Sequence, residues 1–142
     1  MGSIHERLVA AQNAHDPHAF AALFADDYVS EQPAHPGRAF TGRAQVRENW
    51  TAVFAGVPDF RAELVAVAGD GEVEWGEVAW SGHHVDGSEF AMSGVIVATL
   101  RDGLIASARL FVEPLERGGD IATAVEETYR PPTARPEGAG VG

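Results

Sequence analysis

Cysteine and lysine are both absent from this 142-residue chain. Without cysteine there is no disulfide framework, no thiol nucleophile and no thiolate metal site. Without lysine, Schiff-base chemistry on a side-chain amine is excluded. Positive charge is scarce: 10 basic residues, all arginine, face 21 acidic ones, for a formal net charge of -11. That balance argues against nucleic acid as a partner, because phosphates need basic neutralisation, and equally against docking on anionic membranes. No apolar run reaches the ~20 residues of a membrane-spanning helix. The N-terminus carries no signal-peptide pattern, so the cytoplasm is the expected location. His15-Asp16-Pro17-His18 lacks ligand spacing on one helix face, and neighbouring His83 and His84 point apart if they lie on a strand. We therefore expect no metal site. Neither a Gly-rich phosphate loop nor a Ser-His-Asp arrangement occurs, and no cofactor is expected.

What is present is an ordinary globular composition, 45% hydrophobic and 22% charged, in a length that suits one domain. That domain is expected over residues 1–130, with the Pro/Gly/Ala-rich stretch 131–142 as a disordered tail. The organising stretch is Glu89 to Pro114, two long strands folded back at Arg101-Asp102-Gly103. Its first arm, Gly94 to Leu100, is apolar nearly throughout, as in a strand covered on both faces. In the second arm Ala106, Ala108, Leu110 and Val112 fall on one side by period-two alternation, Ser107, Arg109, Phe111 and Glu113 on the other. The Ala/Leu/Val side is the expected core side, and its small alanines leave room beneath.

Ser3 to Glu6 has capping-box spacing and opens a helix ending near Ala14. Asp16-Pro17 starts a second, buried through Phe20, Leu23 and Phe24. A short strand is expected over 28–32 and a third helix, capped by Thr41, with the stripe Val46, Asn49, Trp50, Val53, Phe54. Strands are expected at about 60–67, 73–84, 90–100 and 104–113, with Gly76 read as a bulge on the apolar pattern, whose parity differs between Trp75 and Val78. A last short helix spans about Ile121 to Tyr129. This order is α+β: a strongly curved, mostly antiparallel β-sheet wrapped around an N-terminal helical hairpin and a third helix, enclosing a small-molecule pocket.

That order and several local motifs resemble the SnoaL-like (polyketide cyclase-like) family of the nuclear-transport-factor-two-like superfamily. The motifs are Asn13-Ala14-His15-Asp16, Phe24-Ala25-Asp26-Asp27-Tyr28, Gln32-Pro33, Gly42-Arg43, Pro58-Asp59-Phe60, Trp80-Ser81-Gly82-His83-His84 and Arg101-Asp102-Gly103-Leu104-Ile105. The resemblance covers about residues 3–114 and implies a cone-shaped, cystatin-like α+β barrel. It does not imply one activity, since the superfamily hosts cyclases, isomerases, hydrolases and plain binding domains. Ketosteroid isomerases of this kind use an Asp before the Pro, where Gln32 stands here. Their helix-one Tyr falls on Leu8, and their protonated Asp near Ile96. Steroid isomerisation by that mechanism is excluded. The last-strand Asp of cyclases and epoxide hydrolases falls on Leu110, after Arg109, which removes their acid/base.

Six residues remain as candidate binding groups. Gln32 can hold a carbonyl or a water. Tyr28 is either a phenol donor or a packed core residue. Asn49 bonds a nearby backbone group or lines the pocket. Trp50 and Trp80 suit a flat apolar ligand or are core. Leu110 lies on the core side of the last strand. His84 is the candidate proton relay, the other possibility being a solvent-facing hairpin end. Glu113 is expected to pair with Arg109 on the outer sheet face. Phe111 on that face needs cover, which points to a homodimer. Two functions stay open: a cofactor-independent cyclase, isomerase or hydrolase acting on an apolar oxygenated molecule, or a non-catalytic ligand-binding or dimeric interaction domain.

Overall fold

The computed structural model describes residues 2–129; the stretch expected to form a tail lies outside them. The first helix, α1 (Ile4–Asn13), starts on the expected capping box, with the Glu6 amide donating to Ser3 Oγ and the Ser3 amide to Glu6 Oε1. At its other end the Asn13 side chain exchanges two hydrogen bonds with the Ala62 backbone, at 2.9 and 2.7 Å. That amide ties the helix to a strand far away in sequence. Asp16 then caps α2 (Pro17–Ala21) through the Ala19 amide. This helix ends earlier than its apolar pattern suggests. Phe24 belongs to β1 (Phe24–Glu31), which begins four residues before the expected strand because it pairs in parallel with the last strand.

A short β2 (Phe40–Thr41) leads to α3 (Arg43–Gly56). Its N-cap is Gly42 with φ of 103° and no side-chain bond, not Thr41, which is taken up in β2 pairing. The remaining strands are β3 (Arg61–Asp70), β4 (Val73–His83), β5 (Glu89–Arg101) and β6 (Leu104–Pro114), followed by α4 (Ile121–Tyr129). They form one curved, unclosed sheet in the order β2-β1-β6-β5-β4-β3. The β1/β6 pair is parallel and the other neighbours are antiparallel. No helix among the described residues is long and apolar enough to cross a membrane.

Two register irregularities correct the expected strand faces. In β3 an extra residue, Val65, sits between Leu64 and Ala66, whereas β4 runs in unbroken register against β5 through Gly76. Parity in β4 never changes. Gly76, Val78 and Trp80 are buried on the concave side, and Trp75 faces outward at 40% exposure. In β6 the extra residue is Ala106, opposite the step from Thr99 to Leu100. The core side of β6 is therefore Ile105, Ala108, Leu110 and Val112, with Ile105 1% exposed. A bulge lets one strand keep an apolar residue inside on either side of a parity break. Period-two counting carried across it misplaces one residue, here Ala106.

The concave face, α1, α2 and α3 enclose two apolar clusters. One is centred on Phe20, Phe24, Tyr28 and Ile105, the other on Phe60, Val78, Trp80 and Val112, and Trp50 of α3 touches both. Trp50 stands edge-on to Phe60 and Trp80, with ring centroids 5.4 and 5.3 Å away. Such edge-to-face packing places the positive ring edge on a negative face.

Candidate functional site

Between these clusters lies a cavity of about 200 Å³. Its floor is the pair Ala98 and Ala108, adjacent on β5 and β6, both buried. The small side chains open the space; of the two β6 alanines expected to do so, Ala108 is there and Ala106 is not, Ala98 of β5 taking its place. The volume is below the ~300–1,000 Å³ of drug-sized sites. It suits one or two rings rather than an extended chain.

All six binding candidates line this cavity: Tyr28, Gln32, Asn49, Trp50, Trp80 and Leu110. Gln32 Oε1 accepts from Arg38 Nη1 at 3.1 Å, and Asn49 Oδ1 accepts from Gln45 Nε2 at 2.6 Å. Each amide is thus held by its oxygen and keeps its NH2 group to offer. Tyr28 is 2% exposed. Burial pushes its phenol up to about 12, with the Ser30 hydroxyl pulling the other way. The folded state therefore favours the neutral phenol, which stays a hydrogen-bond donor through the whole physiological range.

His84 is elsewhere. It follows the end of β4 in an exposed turn, its amide bonded to Ser88 O and its ring edge-on to Phe90 at 5.6 Å. It lines a second, more open groove of about 370 Å³. Trp50, Val53 and Trp80 border both spaces, so His84 lies across the tryptophans from the cavity instead of beside Trp80 within it. The strand ends one residue too early for alternation to carry His84 inward. Its neighbour His83 is exposed and bonded to Asp59 at 2.8 Å.

Glu113 is outside as expected, but its partner is His35, whose Nε2 lies 3.0 and 3.1 Å from the two carboxylate oxygens. The expected pair with Arg109 does not form: the two residues sit four positions apart along one strand, with Phe111 between them on the same face, while the 33–39 loop brings His35 across. Among the described residues no three His, Asp or Glu side chains converge to hold a metal ion.

The residue that sequence reading missed is His5. It is 1% exposed and lines the cavity. Its Nδ1–H donates to Glu74 Oε1 at 2.6 Å, and the same oxygen accepts the His5 amide at 2.8 Å. The amide is one of the free N–H groups of the first helical turn, so Glu74 also faces the positive end of α1. His5 Nε2 and Trp80 Nε1 are both buried with no hydrogen-bond partner among the described residues. Both belong to side chains lining the cavity. Buried polar groups are normally satisfied, so two such atoms around one apolar space ask for an explanation. Only Gly76 makes room for the imidazole, and a Gly in the middle of a strand was the one available signal.

Comparison with known proteins bears on this geometry. The sequence profile of the SnoaL-like domain matches residues 5–108. No curated protein matches the chain. Among solved structures, a protein of ketosteroid isomerase-like fold from Catenulispora acidiphila DSM 44928, in complex with trimethylamine, superposes with a TM-score of 0.67. It is 22% identical, covering 77% of this chain and 84% of that one. Wild-type IdmH from Streptomyces antibioticus, provisionally a polyketide cyclase, gives 0.67 at 22% identity over 78% and 89%. An NTF2-like protein of unknown function from Exiguobacterium sp. 255-15 gives 0.65 at 21% identity over 81% and 100%. At these identities the superpositions establish the fold alone.

Proposed function

The chain belongs to the SnoaL-like domain family, and from that premise we propose that it binds a compact, apolar, oxygenated molecule in the cavity and turns it over by proton transfer without a cofactor. The observation that carries this reading is the pair of unpartnered polar atoms, one acceptor and one donor, in the walls of an otherwise apolar space. A ligand oxygen accepting from Trp80 Nε1 would satisfy the donor. Tyr28 and the free amide hydrogens of Gln32 and Asn49 supply further donors for carbonyl or hydroxyl oxygens. Apolar walls exclude water, which strengthens each of these bonds. The polyketide cyclase chemistry associated with IdmH is one source of such ligands.

The test is mass spectrometry of small molecules released by denaturing freshly purified protein, run beside Ala108→Leu. Leucine at position 108 fills the cavity floor from within, so the variant should fold and lose the ligand. A compound released in near-stoichiometric amount by the native protein and at least tenfold less by the variant is the expected result. Equal release from both would place binding elsewhere and end this reading.

A homodimer through the outer sheet face is part of the proposal. Trp75 and Phe111 are 40% and 44% exposed there, flanking Val97, which is buried on the same face. Apolar side chains grouped on one flat face gain from mutual burial. Sedimentation should give the mass of two chains for the native protein and of one for Phe111→Glu. A native protein that sediments as a single chain at tens of micromolar sinks the dimer.

A further inference from the structure

We propose that His5, held by Glu74, is the proton-transferring base of the cavity. The inference rests on the ligand-binding reading above and goes beyond it in naming the group that does the chemistry.

Orientation is settled by hydrogen bonding. An ionised carboxylate only accepts, so the bond to Glu74 Oε1 at 2.6 Å places the imidazole proton on Nδ1. The lone pair is then on Nε2, the atom with no partner. A carboxylate behind a histidine whose other nitrogen is free is the arrangement that fixes the tautomer of a general base and steadies the imidazolium it becomes. Three features hold the ring in place. Its own backbone amide is bound to the same Glu74 oxygen. Gly76 lies flat beneath it, so closely that an added Cβ would come within 2.2–2.7 Å of three ring atoms. The capping box fixes the first turn of α1 that carries it. A preorganised base needs this kind of support from its surroundings.

The step is a proton transfer that needs no co-reactant. His5 Nε2 takes a proton from the carbon beside a ligand carbonyl. The C–H electron pair becomes the C=C bond of an enolate, and the carbonyl π pair moves to oxygen. Imidazolium returns the proton to carbon or to oxygen, which regenerates the neutral ring.

The probe is 2-tetralone, a bicyclic apolar ketone with exchangeable protons next to its carbonyl. Binding is read from quenching of Trp50 and Trp80 fluorescence, and deuterium exchange of the benzylic protons in D2O is read by NMR. The native protein should bind the ketone and accelerate exchange above buffer. His5→Gln should bind comparably and lower the acceleration at least 100-fold, in line with the ~10²–10⁴ supplied by general base catalysis. Glu74→Gln, which preserves shape, should lower it at least tenfold and keeps the test open if His5→Gln does not fold. Binding without acceleration, or His5→Gln exchanging at the native rate, overturns the assignment while leaving the cavity as a binding site. Failure of the native protein to bind the ketone overturns the cavity reading and the base with it.

Discussion

Gly94→Ala should lower the melting temperature by roughly 10 °C or more, the largest stability loss expected from a single methyl group in this chain. Gly94 lies on β5 opposite Val78 on one side and Val112 on the other. A Cβ there would lie 2.0 Å from Phe111 O and 2.6 Å from Val112 Cα. Both are backbone atoms of β6, so no rotamer change can relieve the overlap. The strands must part at the third pair from the open end of the β5/β6 hairpin. Forcing a methyl group into a closed space costs about 1–3 kcal/mol even where side chains can give way. Here the ladder itself has to open, so ~3 kcal/mol or more is expected. For a domain of this size each kcal/mol moves the midpoint by roughly 3 °C. Thermal unfolding followed by circular dichroism checks this. A variant melting within 2 °C of the native protein would mean that the β5/β6 approach is looser than described.

Gly76→Ala is expected to be nearly as costly, and its effect should pass through a single side chain. The added Cβ would meet His5 Cδ2 at 2.2 Å and Cγ at 2.4 Å. Unlike the clash at Gly94, this one involves a ring that can swing away. Moving it breaks the bond to Glu74 and leaves that carboxylate short of one donor in a largely buried place. Relieving an overpacking of ~1–3 kcal/mol by moving the ring replaces it with a lost charge-assisted bond of ~1.5–3 kcal/mol, so about 2–3 kcal/mol is expected. That is within the ~5–15 kcal/mol stability of ordinary domains, so the variant should stay folded. The mechanism is tested by a double-mutant cycle. If the clash with the imidazole is the cause, the loss from Gly76→Ala should shrink by at least about 1 kcal/mol when measured in a His5→Ala background. Strict additivity of the two substitutions would show that Gly76 matters for some other reason. The pair also separates the structural role of Gly76 from the proposed chemistry, because Gly76→Ala should misplace the base without altering the residues that line the rest of the cavity.

These two glycines show where sequence reading stopped. Gly76 reads as an interruption in an alternating strand, and a bulge is the usual meaning of that signal. The structure has an unbroken strand there and a histidine lying on the glycine. The apparent change of parity came from Trp75, an apolar residue on the outer face. No local pattern distinguishes a tryptophan facing outward from a strand that has slipped by one residue. His5 itself lies between Ile4 and Glu6 in a capping box, and its helical position accounts for it without any further role. Its partner is Glu74, 69 residues further along. Only the packing of α1 against the sheet brings them together.

His84 illustrates the opposite case. Alternation from Trp80 through Gly82 to His84 points inward only while the strand lasts, and β4 ends at His83. Strand ends are the least determined feature of a sequence pattern, because the last pair depends on a turn and its partner strand. Glu113 is similar. Its face was legible from β6 alternation, but the loop that delivers His35 was not.

The amino-acid sequence by itself determined the α+β order, the capped helical pair, the hairpin turning at Asp102-Gly103, the apolar stripe of α3 and the inward place of Ala108. It also closed, through its lack of cysteine and lysine, thiol chemistry and a lysine Schiff base. These follow from local rules: periodicity, turn preference, capping and composition act within a few residues and can be read where they stand. The tertiary structure alone decided which strand carried the bulge, which side of Trp50 and Trp80 each histidine occupies, and that His5 meets Glu74 over Gly76. Each of these depends on contacts between residues far apart in the chain, set by how curved strands and packed helices share space.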